Sequence, residues 1–201
     1  MTMTEQPTST GAAPRRLLGT TDLALVAAFA ALIAVLAVIG GIPVGGAGVP
    51  ITLQTLGVLL AGAVLGPLRG FLSVGLYLVL AAVGLPILSG HTGGLAPFVG
   101  VTAGYLLTFP IAALVVGLVV RLAARAGRVG PLAILVGGLL GTVVNHLGGV
   151  IGMQAYLGVD WATAFSYDAP YWLGDVVKAL LVAVVAAEVH KAFPQLLTRR
   201  G

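Results

Sequence analysis

The chain has 201 residues, of which 59% are hydrophobic and 8% charged, and its mean hydropathy is +1.10. A soluble domain carries about a quarter charged residues, so ordinary globular, disordered and nucleic-acid-binding classes are excluded and a polytopic membrane protein remains. The net charge of +4 comes from ten Lys/Arg against six Asp/Glu, too sparse for a phosphate-tracking surface, and the absence of cysteine removes disulfides, thiolate nucleophiles and sulfur-built metal sites.

Residues 1–20 are polar and rich in Thr, Pro and Gly and read as a disordered cytoplasmic tail. Arg15 and Arg16 precede an apolar run over 23–39, which is long for a signal peptide and is followed by further apolar segments, so it reads as the first membrane helix. The stretch GGIPVGGAGVPIT over 40–52 holds five glycines and two prolines and cannot continue it. A second helix is expected over 53–65, a turn over 66–70 and a third helix over 71–83. An irregular Gly/Pro-rich loop follows over 84–98, then a fourth helix over 99–124. A basic turn over 125–130 leads to a fifth helix over 131–157. A polar loop over 158–168 precedes the sixth, 170–193, and 194–201 forms a second cytoplasmic tail. The expected fold is therefore an all-α membrane domain of six transmembrane helices spanning 21–193.

The positions of the charges orient it. With both termini on one side, that side collects Arg15, Arg16, Arg69, Arg121, Arg125, Arg128, Lys191, Arg199 and Arg200, while the opposite loops hold no Lys or Arg. The positive-inside rule then predicts that both termini are cytoplasmic. The outer loops instead carry His91, Asp160 and Asp168. The second and third segments are short for a bilayer, so the outer Gly/Pro loops are expected to fold back into the protein and line a pocket.

The Walker pattern GxxxxGK[ST], HExxH and GxSxG are all absent, which argues against an ATPase, a metalloprotease or a serine hydrolase. What the sequence does contain is an ionisable pair inside a membrane helix. In YWLGDVVKALL, Asp175 and Lys178 stand three residues apart on one helical face, roughly 8 and 12 Å below the outer boundary if the helix starts at Pro170. Burying either charge in hydrocarbon costs about 2.5 to 3.5 kcal/mol, so the default reading is functional, a structural ion pair or a snorkelling lysine being the bland one. Uncharged polar groups accompany the pair: Thr52, Gln54 and Thr55, Ser73 and Tyr77, Thr102 and Tyr105, Asn145 and His146, Tyr171 and Trp172. Ser73 is expected to bond its own helix, Asn145 and His146 to bond between helices or to touch ligand, and Tyr171 and Trp172 to sit in the interfacial belt or the site. Together they describe a small-molecule site with a carboxylate, an amine, amides and aromatic walls.

The order and spacing of VPITLQTL, LGPLRG, GLPILSGHTGG, the later GY and YWLGDVVKALL resemble the BioY family, the biotin-specific S components of energy-coupling-factor (ECF) transporters, over about residues 20–190. That resemblance implies an outward high-affinity biotin pocket capped by the first loop, no cofactor and no ATPase. It further implies an ECF transmembrane coupling subunit and two ATPase subunits as partners, besides membrane lipid and biotin. It also implies ligand-binding roles for Asp175 and Lys178, for Thr52 and Gln54 in the capping segment, for Tyr77, and for Gly93, Gly94 and Tyr105. Asp175 suits the ureido N–H groups of biotin, and Lys178 either meets the ligand carboxylate or holds Asp175 ionised. Where the family frequently carries Arg before its GG pair, this chain has His91-Thr92-Gly93-Gly94, which makes His91 and Thr92 candidates for the carboxylate. Asn145 completes the expected set. The small residues Ala24, Ala27, Ala28, Ala30, Ala31 and Ala34 on the first helix resemble the family's docking surface for the coupling subunit. The competing readings are an S component for another vitamin and an ion-coupled secondary carrier relaying protons through Asp175 and Lys178. The first is disfavoured by PIT-x-QTL and GLP, and the second by the lack of a convincing inverted repeat.

Overall fold

The alternation of long apolar runs with Gly/Pro breaks produces a helical bundle. The computed structural model describes residues 18–43 and 47–198, so the predicted first tail and Arg15, Arg16, Arg199 and Arg200 lie outside the described residues, apart from residues 18–20 of that tail. The principal helices are α1 (Thr20–Val38), α2 (Gln54–Leu65), α3 (Pro67–Ala82), α4 (Ala103–Arg125), α5 (Pro131–Leu157) and α6 (Trp161–Ala192), followed by a short α7 (Gln195–Thr198). Three of them, α1, α4 and α5, are each long and apolar enough to cross a bilayer alone. The 12 residues of α2 rise only about 18 Å, so its ends must be shielded by neighbouring protein.

Lipid rather than water is the solvent this surface suits. Leu132, Val136, Leu140, Leu147 and Ile151 of α5 and Leu173, Val177, Leu180 and Val184 of α6 all point outward, while many of the buried residues between helices are Ala, Gly and Val. Between helices surrounded by apolar lipid, close packing replaces the hydrophobic effect as the adhesive, and small residues allow it. Gly104 of α4 shows the closeness reached: a Cβ there would run into the backbone of Gly148 and lie 2.9 Å from the Cα of Gly152 on α5.

Three boundaries differ from the sequence expectation. The predicted turn over 66–70 shrinks to Gly66, whose φ of +83° makes the bend, and α3 starts at once at Pro67, whose fixed φ suits a first helical position. Arg69 is consequently buried inside the first turn of α3, where it meets Asp22 of α1 at 3.3 Å. The fourth helix starts at Ala103 rather than 99, because Ala96–Phe98 coils as a 3-10 turn and the Thr102 hydroxyl donates to the Pro97 carbonyl. The largest difference is in α6, which begins at Trp161 instead of 170. Asp160 caps it by accepting from the Thr163 N–H at 2.8 Å, and the helix runs on through Pro170. The predicted outer loop 158–168 is thereby reduced to 158–160, and Asp168 moves from a loop to a buried helical position.

The loop between α1 and α2 closes a minimal antiparallel hairpin, β1 (Ile42–Pro43) against β2 (Pro50–Ile51). It and the loop after α3, with 3-10 turns at Ser89–His91 and Ala96–Phe98, gather at one end of the bundle. At the other end Leu59, Ala63, Leu65, Val116, Val120, Ile134, Val182 and Ala186 form a dense apolar cluster from α2, α4, α5 and α6.

Candidate functional site

Beneath the two loops lies a concave cavity, open on one side and lined by both helix and loop residues. Helix residues form its floor and loop residues its mouth. Thr55 of α2, Asn145 of α5 and Asp175 and Lys178 of α6 supply polar groups, Leu106 and Phe109 of α4 apolar walls, and Val49–Thr52, Leu88, Ser89 and Thr92 the rim. Tyr171 ties rim to helix, its hydroxyl donating to the Val49 carbonyl at 2.8 Å.

Asp175 and Lys178 pair as their spacing predicts, with Nζ 2.6 Å from Asp175 Oδ1. Lys178 also donates to the Thr55 hydroxyl at 2.9 Å, and that hydroxyl donates to Asp175 Oδ1 at 2.9 Å. The three groups form a closed triangle linking α2 to α6. Thr52 accepts from the Gln54 N–H at 3.2 Å and so shapes the entry into α2. Gln54 lines the cavity while its amide donates to the Tyr77 hydroxyl at 2.9 Å, which in turn donates to the Ile87 carbonyl. Asn145 faces the cavity and accepts from Thr108 of α4 at 3.1 Å, combining both roles open to it from sequence. Ser73 donates to the Arg69 carbonyl of its own helix at 2.8 Å.

Of the expected site residues, Asp175, Lys178, Gln54, Thr52, Tyr105, Asn145 and Thr92 line the cavity. Four do not. Tyr77 stands behind Gln54. Gly93 packs against the Leu85 carbonyl and the Gly94 N–H bonds the Ala81 carbonyl, so both shape the loop from outside the cavity. His91, held at φ +56°, is exposed, which leaves Thr92 as the rim residue of that pair. Its hydroxyl donates to the Ser89 carbonyl at 2.9 Å.

A second polar layer lies behind the cavity. His146 Nε2 is 3.2 Å from Asp175 Oδ2, and its Nδ1 is 2.7 and 2.9 Å from the two oxygens of Asp168. Asp168 also accepts from the Tyr105 hydroxyl at 2.5 Å and from the Trp172 indole N–H at 2.7 Å. The Trp172 and His146 rings stack with centroids 4.3 Å apart. Sequence reasoning misses Asp168 because Pro170 marks the expected start of the helix. Extended upstream, the pattern Asp168, Trp172, Asp175, Lys178 falls at i, i+4, i+7 and i+10, one continuous helical stripe. Among the described residues no group of three or more His, Asp or Glu is arranged to hold a metal ion.

The family model described as the BioY family matches residues 4–195. This chain belongs to the BioY family. It is 42% identical to the biotin transporter BioY of Rhodobacter capsulatus over 193 residues, covering 90% of this chain and 98% of the relative. It is 38% identical to the BioY of Rhizobium etli, covering 90% and 100% respectively. Its fold matches the 2.1 Å crystal structure of the S-component for biotin from an ECF-type ABC transporter, with TM-score 0.80, 31% identity and coverage of 85% of this chain and 91% of that one. The BioY assignment makes the chain a multi-pass membrane protein and agrees with the all-helical architecture derived above.

Proposed function

We propose that this chain binds biotin in the cavity between α2, α4, α5 and α6 and serves as the substrate-specific component of an ECF-type uptake system, a transport role rather than a catalytic one. The observation that carries the reading is the buried Asp175–Lys178–Thr55 triangle on the cavity wall, in a chain belonging to a family of biotin transporters. Asp175 offers an anionic acceptor to the ureido N–H groups, and charge-assisted bonds of this kind are the strong ones. Leu106 and Phe109 suit the apolar bicyclic ring and tail, and the hydroxyls of Thr52, Ser89 and Thr92 at the rim suit the ligand carboxylate. Lys178, bonded to both Asp175 and Thr55, serves chiefly to keep Asp175 ionised.

In the cell the protein sits in the bacterial cytoplasmic membrane with both termini inside and the cavity facing out, as the arginine and lysine positions support. A transmembrane coupling subunit and two ATPase subunits supply the energy, with α1 as the docking helix. Titration of the purified protein with biotin should show saturable binding in the nanomolar range, unaffected by excess riboflavin or thiamine. Absence of saturable binding, or displacement by another vitamin, overturns the assignment.

A further inference from the structure

The residues behind the cavity are bonded in a way that fixes their protonation. Both oxygens of Asp168 receive donors, Oδ1 from the Tyr105 hydroxyl at 2.5 Å and Oδ2 from the Trp172 indole at 2.7 Å, so this carboxyl serves as an acceptor on both oxygens. Asp175 Oδ1 receives Lys178 at 2.6 Å and the Thr55 hydroxyl at 2.9 Å. His146 lies between the two carboxylates, with Nδ1 on Asp168 and Nε2 on Asp175. A neutral imidazole has one N–H and one lone pair, so in either tautomer it would press a lone pair against a carboxylate oxygen. Only the doubly protonated ring donates at both ends. The charges agree: Asp168, Asp175, Lys178 and His146 are all buried, and with both carboxyls ionised the four sum to zero when His146 is cationic. An unbalanced buried charge is expensive, and a cation stacked on the Trp172 indole is further favoured.

We propose that His146, held as an imidazolium by Asp168, is a positioning residue for the ligand site. It does not line the cavity and acts through Asp175. By binding Oδ2 from behind, it fixes the carboxylate plane and occupies one of about four lone-pair directions. Lys178 and Thr55 take two more, which leaves one for a ligand in the cavity that Asp175 lines. This inference rests on Asp175 being the ligand acceptor proposed above.

The test combines a coupling measurement with a spectroscopic one. His146→Gln and Asp168→Asn should each weaken biotin binding about 10- to 100-fold, the scale of one hydrogen bond to a charged group. In an Asp175→Asn background, His146→Gln should change Kd by less than about threefold, because the residue through which it acts has been neutralised. Losses that add in full would show a merely structural role and overturn the proposal. Nitrogen-15 NMR of ring-labelled histidine, with the His146 signals identified as those that persist in both His91→Gln and His190→Gln, should show both ring nitrogens protonated in the wild-type protein. It should show a neutral ring in Asp168→Asn. A neutral His146 ring in the wild type overturns the proposal even if neither variant folds. Failure of the wild type to bind biotin would instead defeat the functional assignment and leave the imidazolium intact.

Discussion

The two ends of this bundle are built from the same helices by opposite means. At the closed end, Val116, Val120, Ile134, Val182 and Ala186 pack without a single hydrogen-bonding side chain among them, and among the described residues Arg69, Arg121 and His190 bring polar side chains to the neighbouring wall. At the cavity end, the helices are tied by Thr55–Lys178, Tyr105–Asp168, His146–Asp175 and Gln54–Tyr77 bonds. Apolar packing is tolerant of volume-conserving change and indifferent to orientation, whereas a buried polar network is satisfied in only one arrangement. Fixing a ligand needs the second property. The closed end therefore supports stability and the cavity end, on the proposed function, supports recognition, and substitutions at each should separate the two.

The largest effect is expected at Asp175. Asp175→Ala removes the proposed ligand acceptor and leaves Lys178 and His146 without their shared anion, so biotin affinity should fall about 100-fold or more in calorimetric titration. An affinity within threefold of wild type would place the site elsewhere. A smaller loss is expected from Gly149→Ala. A Cβ there runs into the Tyr105 ring, which cannot retreat without releasing Asp168. Overpacking of this kind costs about 1–3 kcal/mol, and transmitted through Asp168 and His146 it should weaken biotin binding about tenfold while lowering the thermal midpoint. At the closed end, Arg69→Ala provides the contrast. It breaks the buried Arg69–Asp22 contact between α1 and α3 and should destabilise the protein by about 1–3 kcal/mol, yet leave Kd within about twofold. A tenfold change in Kd would mean that the two ends are coupled.

The same contrast accounts for how much could be read from the sequence. Gly/Pro breaks are local chemistry, so the element order followed from them, and α5 begins and ends where its pattern predicts. The Asp175–Lys178 pair was legible because three residues along a helix is a fixed geometry. Loop residues were not: His91 and Thr92 are neighbours in sequence, but a positive φ at His91 turns one to solvent and leaves the other at the rim. Asp168 was hidden by Pro170. Proline ends most helices in water, but a membrane helix tolerates it where neighbouring groups satisfy the freed carbonyl, so the rule that located the loops misplaced this boundary.

The smallest expected effect lies at that misplaced boundary, in the N-cap of α6. The Thr163 N–H and hydroxyl donate to the Asp160 carboxylate at 2.8 and 3.1 Å, and these bonds hold its pKa below the ordinary carboxylate value. Because the folded value is depressed, the contribution of this cap is fully present above the unfolded pKa of about 3.9 and is lost as pH falls through the lower folded value. Asp160 is exposed, so the effect is local. Asp160→Ala should speed hydrogen exchange at the Thr163 amide and leave biotin affinity unchanged, whereas Asp160→Asn, which retains a side-chain acceptor, should preserve most of the protection. Acidification should reproduce the alanine phenotype in the wild type and have little effect in Asp160→Asn. If fraying the first turn of α6 did weaken biotin binding, the disturbance would have travelled from Trp161 to Asp168, and the cavity end would then depend on helix stability as well as on its polar network.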